Sequence, residues 1–244
     1  MISNILSKTL AVAAITGLSV MSAPAAFAES LVPQEEIEVE VGLGCLEVAK
    51  CLTDLSAFGI ESITSLVNVS NDTASRLFID TLETANGFSS DDPVFNNDVF
   101  LKDKDVGTNP IGFVYRPSTD EEQGQLEVGT FEIVFSEIIP ELEIAFLDVE
   151  KDDTTAVLDV VGEGGSMLGA PEFIPDSGND SIVTRTYKGV KSIILQLGFD
   201  DPDNTGDGVS FTLTSVPVPE PGAIVGLSAV AAGMMLKRRK SSQA

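Results

Sequence analysis

Ile37-Glu38-Val39-Glu40-Val41 alternates apolar and acidic residues, and this stretch decides the fold class. Successive side chains of a β-strand point to opposite faces of the sheet, so a period of two is typical of a strand with one buried and one solvated face. Nine further segments have short apolar or alternating runs and are predicted to be strands. They are residues 63–69, 94–101, 111–115, 126–135, 142–149, 155–161, 182–187, 192–199 and 209–216.

Clusters of Gly, Pro, Asn and Asp separate the predicted strands, for example at residues 162–165 and 200–208. These residue types favour turns. Many short strands in one domain predict an all-β fold, an antiparallel β-sandwich of jelly-roll type.

At most one short helix is expected, over residues 73–85. Asn71 or Asp72 can cap its start. Four apolar residues share a face at helical spacing. They are Ala74, Leu77, Phe78 and Leu82. A strand is the alternative for the same residues.

Residues 1–28 have the three parts of a secretory signal peptide. Lys8 and the α-amino group give a weakly positive start, and residues 9–20 form an apolar stretch. Ala26 and Ala28 then supply the small-x-small pattern of a cleavage site, which predicts Glu29 as the new N-terminus. An uncleaved anchor is the alternative, but the apolar stretch is too short to cross a hydrocarbon core of about 30 Å comfortably.

Residues 218–244 form a second targeting segment. The apolar run 223–236 has 14 residues, of which only Ser228 is polar. With its small neighbours it makes a single helix of about 24 Å, which is short for a membrane span but sufficient for a thinned or tilted one. A basic cluster follows the run and belongs on the cytoplasmic side. It consists of Lys237, Arg238, Arg239 and Lys240.

Pro219, Glu220 and Pro221 stand just before the apolar run. In order and spacing, this tripeptide, the short apolar helix and the basic tail resemble the PEP-CTERM sorting signal. The resemblance implies an exosortase, a membrane-embedded cysteine protease-transpeptidase, as the processing partner. It also implies cleavage near Pro-Glu-Pro and release to the cell surface or to an exopolysaccharide matrix. An ordinary C-terminal anchor that happens to follow Pro-Glu-Pro is the alternative.

Residues 29–217 make up the body, whose size fits one domain. Of the 14 basic residues 5 lie in the two targeting segments, and of the 38 acidic residues only Glu220 does, so the body carries a formal charge of −28. This charge disfavours nucleic acid, which is held by cationic side chains, and attracts divalent cations. Most of the carboxylates are expected to form a solvated surface.

The chain has no His, no Trp and two Cys. These counts exclude His-dependent Ser or Cys catalysis, His-ligated metals and a four-cysteine zinc site. Glycoside hydrolysis needs only two carboxylates in a cleft. The sequence selects no pair among its many acids, however, and offers few aromatic platforms for a sugar. We therefore expect a protein that is not an enzyme.

Cys45 and Cys51 lie close together in an exported chain. They are expected to form a disulfide that closes a small loop. A redox or metal role would need a CxxC motif on a helix or additional ligands, so it is disfavoured.

Residues 126–129 have the sequence Leu-Glu-Val-Gly and lead into a predicted strand. With the C-terminal segment and residues 200–213, they resemble a cyanobacterial subgroup of PEP-CTERM proteins named after this motif. The resemblance implies no known enzymatic activity. Leu126 and Val128 would share one face of the strand, and Gly129 would permit a bulge or a close approach of backbone.

The acidic segment 200–208 is the candidate metal site. Ca²⁺ takes six to eight oxygen ligands, which the carboxylates, amides and carbonyls of a loop supply. The segment begins like an EF-hand loop, but Thr212 stands where a bidentate Glu is required, so it is not an EF-hand. A looser Ca²⁺ loop and an acidic hairpin turn remain as interpretations. The ligands of such a loop would be Asp201, Asp203, Asn204 and Asp207.

A second acidic set follows the predicted strand 142–149. Chelation and a solvated turn are its two interpretations, and the density of charge favours the turn. The set consists of Asp148, Glu150, Asp152 and Asp153.

These features together predict an exported protein that the C-terminal helix tethers to the membrane before processing. It would then reach the cell surface or the extracellular matrix, where its body acts as a structural or adhesive module, with exopolysaccharide as a candidate partner. The alternative function is a carbohydrate-binding or carbohydrate-cleaving domain that acts on exopolysaccharide.

Overall fold

The computed structural model describes residues 28–68, 72–81, 86–88, 99–101, 112–118, 128–169, 171–178, 181–199 and 208–217. These residues contain thirteen β-strands and three short 3₁₀ turns, and no α-helix. The first seven strands are β1 (Glu29–Ser30), β2 (Ile37–Val39), β3 (Cys51–Leu52), β4 (Ile60–Leu66), β5 (Arg76–Thr81), β6 (Asn86–Phe88) and β7 (Val99–Leu101). The others are β8 (Phe113–Ser118), β9 (Gly129–Leu147), β10 (Ala156–Val161), β11 (Glu172–Phe173), β12 (Ile182–Leu197) and β13 (Ser210–Ser215). The prediction of an all-β fold is confirmed.

Eleven of these strands form one sheet in the order β11-β10-β12-β9-β13-β8-β5-β2-β3, with β1 beside β13 and β4 beside β9. β6 and β7 pair with each other. The β2–β3 pair is parallel, whereas the other strand pairs described are antiparallel. The sheet is therefore mixed, and the expectation of a purely antiparallel sheet is wrong at this pair. The 11 residues between β2 and β3, which include the 3₁₀ turn Val48–Lys50, carry the chain back to the start of β2.

β9 and β12 are the longest strands, with 19 and 16 residues, and each covers two of the predicted strands. The two strands pair along their length, but their register shifts once. Val190 of β12 faces Ile139 of β9, whereas Ser192, only two residues later, faces Val134. The shift leaves a bulge in β9 at residues 135–138. The loop expected between the predicted strands 126–135 and 142–149 is thus a bulge inside β9. On one side of this bulge β9 pairs with β4, and on the other side with β13.

One apolar cluster is formed by residues from both halves of β9 and from the strands beside them. Tyr115 and Phe211 stack in this cluster, with ring centroids 5.1 Å apart. Other fully buried aromatic members are Phe131, Phe135 and Phe146. Rings of this size dominate the apolar area that folding removes from water, so they define the core.

β5 occupies residues for which a helix was predicted, and the helix prediction is wrong at residues 76–81. β5 pairs with β2 on one edge and with β8 on the other, so its backbone groups are satisfied by neighbouring strands. Its first five residues, 76–80, are all buried. A strand buried on both faces has no alternation to identify it, and its apolar run is easily mistaken for a helical face. Residues 82–85 lie outside the described residues.

Candidate functional site

The first and last strands of the body lie side by side. β1 begins at Glu29, the residue expected after signal-peptide cleavage, and Glu29 is the register partner of Ser215 in β13. The Leu31 N–H donates to the Leu213 carbonyl oxygen at 2.9 Å. The two ends of the body therefore meet at one place in the sheet.

Buried contacts hold the residues that follow β1. Leu31 and Val32 are 4% and 1% exposed. The Tyr115 hydroxyl donates to the Leu31 carbonyl oxygen at 2.9 Å. Burial raises the pKa of Tyr115, so this donor keeps its proton in neutral and mildly basic solution. Ala28, the last residue of the predicted signal peptide, is exposed.

The end of β13 is hydrogen-bonded to β9 on the edge that is opposite to β1. Ser215 pairs with Leu142 of β9, and the next N–H, that of Val216, donates to the Glu141 carbonyl oxygen at 2.8 Å. Val216 is therefore anchored two residues before the start of the predicted sorting signal at residue 218.

Several predicted site residues lie outside the described residues, and the structure places none of them. They are Ala26 of the cleavage site, Leu126 of the Leu-Glu-Val-Gly motif, the sorting residues Pro219, Glu220, Pro221, Lys237, Arg238, Arg239 and Lys240, and the candidate Ca²⁺ ligands Asp201, Asp203, Asn204 and Asp207.

Cys45 and Cys51, the two cysteines predicted to pair, form a disulfide with their Cα atoms 5.7 Å apart. The loop begins with a turn in which Glu40 Oε1 accepts the N–H groups of Gly42 at 2.7 Å and of Gly44 at 3.0 Å. Glu40 lies within 4.8 Å of both sulfur atoms. Sulfur atoms joined in a disulfide are not the thiolates that bind metal, so the geometry makes this loop structural.

Two buried ion pairs lie on the face of β2, β5 and β8 that is opposite to the apolar cluster. Arg76 Nη1 is 2.7 Å from Glu38 Oε1, and Arg116 Nη1 is 2.9 Å from Asp80 Oδ2. The four side chains are between 0% and 8% exposed. Burial of a charge is tolerated when an opposite charge and hydrogen bonds compensate it, as they do here.

Glu38 connects one ion pair to the disulfide loop. Its Oε2 accepts the Leu46 N–H at 2.7 Å, and Arg76 donates in addition to the Gly44 carbonyl oxygen at 2.5 Å. Burial raises the pKa of Glu38, although the hydrogen bonds from Arg76 and Leu46 act in the opposite direction. The alternation of residues 37–41 predicted a solvated Glu38, and this expectation is wrong because Arg76 and the loop cover the carboxylate.

Neither ion pair was predicted from the sequence. Their signal is an arginine beside an apolar run, since Arg76 precedes Leu-Phe-Ile and Arg116 follows Phe-Val-Tyr. Charged residues are rarely buried without a partner, so such a position indicates an ion pair. The partners are 38 and 36 residues away along the chain, and local sequence does not identify them.

The second acidic set has the contacts of a turn. Asp148 and Asp153 have φ angles of 66° and 63°, in the left-handed region that short polar residues tolerate. Asp152 Oδ1 accepts the Asp176 N–H at 2.9 Å, and Glu150 is exposed. These contacts favour the turn over chelation.

Gly129 was expected to permit a bulge or a close approach of backbone. In the structure a side chain, the ring of Phe131, lies close to it. A Cβ atom added to Gly129 would lie 2.5 Å from a ring carbon of Phe131. Phe131 is fully buried, and so is Val128 before the glycine. The glycine therefore leaves room for an aromatic ring in the core.

No protein-family model and no curated protein sequence matches this chain. Among the residues that the structure describes, no helix has the length and apolar character needed to cross a membrane.

Proposed function

We propose that this protein is exported, sorted through its C-terminal segment and displayed at the cell surface or in the extracellular matrix. The observation that carries the proposal is the arrangement of Pro219, Glu220 and Pro221 before a 14-residue apolar run and a basic cluster, in a chain that begins with a signal-peptide pattern. Two targeting segments at opposite ends fit export followed by a second processing step.

The disulfide of the body supports an extracytoplasmic destination. Disulfides persist in oxidising compartments and are rare in the cytosol. The Cys45–Cys51 disulfide closes a loop whose backbone is hydrogen-bonded to Glu38 and Arg76 of the sheet. The disulfide is therefore part of the folded body.

In this proposal the body is a structural or adhesive module without catalytic activity. We propose further that the sheet closes as a β-sandwich of jelly-roll type. The register shift between β9 and β12 at residues 135–138 supports this, because a bulge can bend paired strands from one layer to the other. The two buried ion pairs are between 0% and 8% exposed, which fits a structural role for these four charged residues. The many remaining carboxylates give a soluble, anionic surface.

Intact mass and C-terminal peptide mapping of the protein from its native cells test this proposal. The expected species begins at Glu29 and ends near Pro219 to Pro221. A species that retains residues 223–240 and fractionates with membrane would contradict sorting by cleavage and would mean a standing anchor.

Ca²⁺ binding at Asp201, Asp203, Asn204 and Asp207 is a separate part of the proposal. Calorimetric titration of the purified body with CaCl₂ tests it, and heat together with thermal stabilisation is the expected result. Absence of both at millimolar Ca²⁺ would leave residues 200–208 as an acidic turn.

Carbohydrate recognition, the alternative, gains no support from the described residues. Phe173, on the edge strand β11, is an exposed aromatic side chain at 49%. One ring at a sheet edge is a poor platform for a sugar chain. A glycan array on the purified body tests this alternative, and reproducible binding to one glycan class would favour it over a purely structural role.

A further inference from the structure

The anchored end of β13 lies very near the proposed cleavage motif along the chain. Val216 is held by its hydrogen bond to the Glu141 carbonyl oxygen, and Pro219 is the third residue after it. Three extended residues reach about 11 Å at most. This reach is about the diameter of a single helix with its side chains. A processing enzyme whose active site lies deeper than this distance below its surface therefore cannot admit the motif while Val216 keeps its hydrogen bond.

The end of β13 is restrained on both edges. Ser215 stands between Leu142 of β9 and Glu29 of β1. β1 is in turn continuous with Leu31, whose N–H and carbonyl groups bond to Leu213 and Tyr115 inside the core. Release of residues 214–216 therefore breaks hydrogen bonds to two neighbouring strands.

We infer that the folded body restrains cleavage of its own tail, and that the end of β13 must detach from β1 and β9 before a processing enzyme acts. The inference rests on the proposed function, because it assumes cleavage near Pro219. Its new content is the step that sets the rate, a local opening of the sheet. Local openings require less free energy than global unfolding, and proteases act on the opened states.

An insertion at the junction tests the inference. Six Gly and Ser residues placed between Pro217 and Val218 give the motif a flexible reach beyond the sheet. The matched control carries the same insertion between Gly164 and Gly165, in an exposed turn where an added Cβ would meet nothing within 4 Å. Both variants and the parent chain are produced in the native cells, and loss of the tail is followed by intact mass after a pulse of synthesis.

The junction insertion is expected to raise the rate of tail loss about tenfold, because cleavage no longer waits for local opening. The control insertion is expected to leave the rate unchanged. Urea unfolding of the purified bodies should give the same midpoint for all three forms, since neither insertion falls within a strand.

The outcomes separate this inference from the proposed function. Tail loss at equal rates in all three forms would overturn the inference and leave sorting by cleavage in place. Retention of the tail in all three forms would overturn the proposed function itself. Acceleration by both insertions would also overturn the inference, because the effect would not depend on the junction.

Discussion

The two faces of β5 are both buried, yet only one of them carries charged side chains, Arg76 and Asp80, which stand on either side of the fully buried Phe78. Leu77 and Ile79 belong to the apolar cluster. Arg76 and Asp80, on the other face, form ion pairs with residues of β2 and β8. The least buried of these four residues, Arg76, is only 7% exposed. A polar face of a strand is therefore not always a solvated face.

The two faces should also respond differently to mutation. Removal of atoms from the apolar face leaves a cavity whose lining loses dispersion contacts. Removal of one charge from the other face leaves the opposite charge in a medium that solvates it poorly. Substitutions on the two faces measure this difference directly.

The largest effect is expected for Arg116→Met. The substitution keeps an unbranched side chain but removes the guanidinium that donates to Asp80. The Asp80 side chain is 0% exposed. We expect the free energy of unfolding to fall by about 3–5 kcal/mol, as for other broken buried ion pairs. Urea unfolding of the purified body at pH 7 measures it.

Lys188→Met is the matched control for Arg116→Met. Lys188 lies 3.4 Å from Glu141, but its side chain is 78% exposed. Exposed ion pairs contribute about 0–1 kcal/mol, so the free energy of unfolding of the control should fall by less than about 1 kcal/mol. Equal losses in the two variants would show that burial of the charged face has no energetic consequence.

Leu77→Ala should have the next largest effect. Leu77 is 0% exposed and belongs to the apolar cluster. Truncation of a buried leucine typically costs about 2–5 kcal/mol, and about 3 kcal/mol is expected here. The same urea titration measures it. A loss greater than that of Arg116→Met would reverse the order of the two faces.

Gly129→Ala tests how tightly the apolar cluster is packed. The added methyl group would overlap the ring of Phe131, so we expect a loss of about 2 kcal/mol from overpacking. In Gly169→Ala the added Cβ would meet nothing within 4 Å, and the stability should hardly change. Thermal unfolding of the two variants compares them, and an unchanged Gly129→Ala would mean that the ring moves freely.

The smallest effect is a dependence on pH that belongs to the charged face. Burial raises the pKa of Glu38, so the folded protein holds a proton on this carboxyl more firmly than the unfolded chain does. Its contribution to stability is therefore greatest below the ordinary glutamate pKa and falls as the pH rises through the raised pKa. As the pH rises from the ordinary glutamate pKa toward neutrality, the parent protein should lose stability relative to Glu38→Gln.

Urea midpoints of the two proteins across this pH range measure the effect. A difference between them that stays constant would mean that the Arg76 and Leu46 hydrogen bonds fully offset burial. A difference that changes in the opposite direction would mean that these hydrogen bonds dominate.

Strand periodicity carried most of the fold prediction, and it failed where a strand has no solvated face. Every predicted strand overlaps a strand of the structure, and the close cysteines formed the expected disulfide. β5 was mistaken for a helix because its run Leu77-Phe78-Ile79 is apolar on both faces. The continuity of β9 could not be predicted, because a bulge and a loop have the same local composition.

The candidate site was predictable only in part, for a different reason. The signal-peptide pattern predicts Glu29 as the start of the body, and the first strand of the structure begins at this residue. The pairing of Glu29 with Ser215 could not be predicted, because the local sequence of a strand does not identify a partner that is distant along the chain. Glu38 was placed in solvent for the same reason, since Arg76 and the loop that cover it lie elsewhere in the chain.

The pairing of Glu29 with Ser215 has a mechanical consequence. In this antiparallel pair, the start of β1 and the end of β13 emerge from the same end. A force that pulls them apart therefore loads the hydrogen bonds one after another and unzips the pair. A force along β13 instead loads its six register pairs with β9 together, in shear. A body held by its C-terminal end thus withstands tension along β13 far better than tension between its two ends.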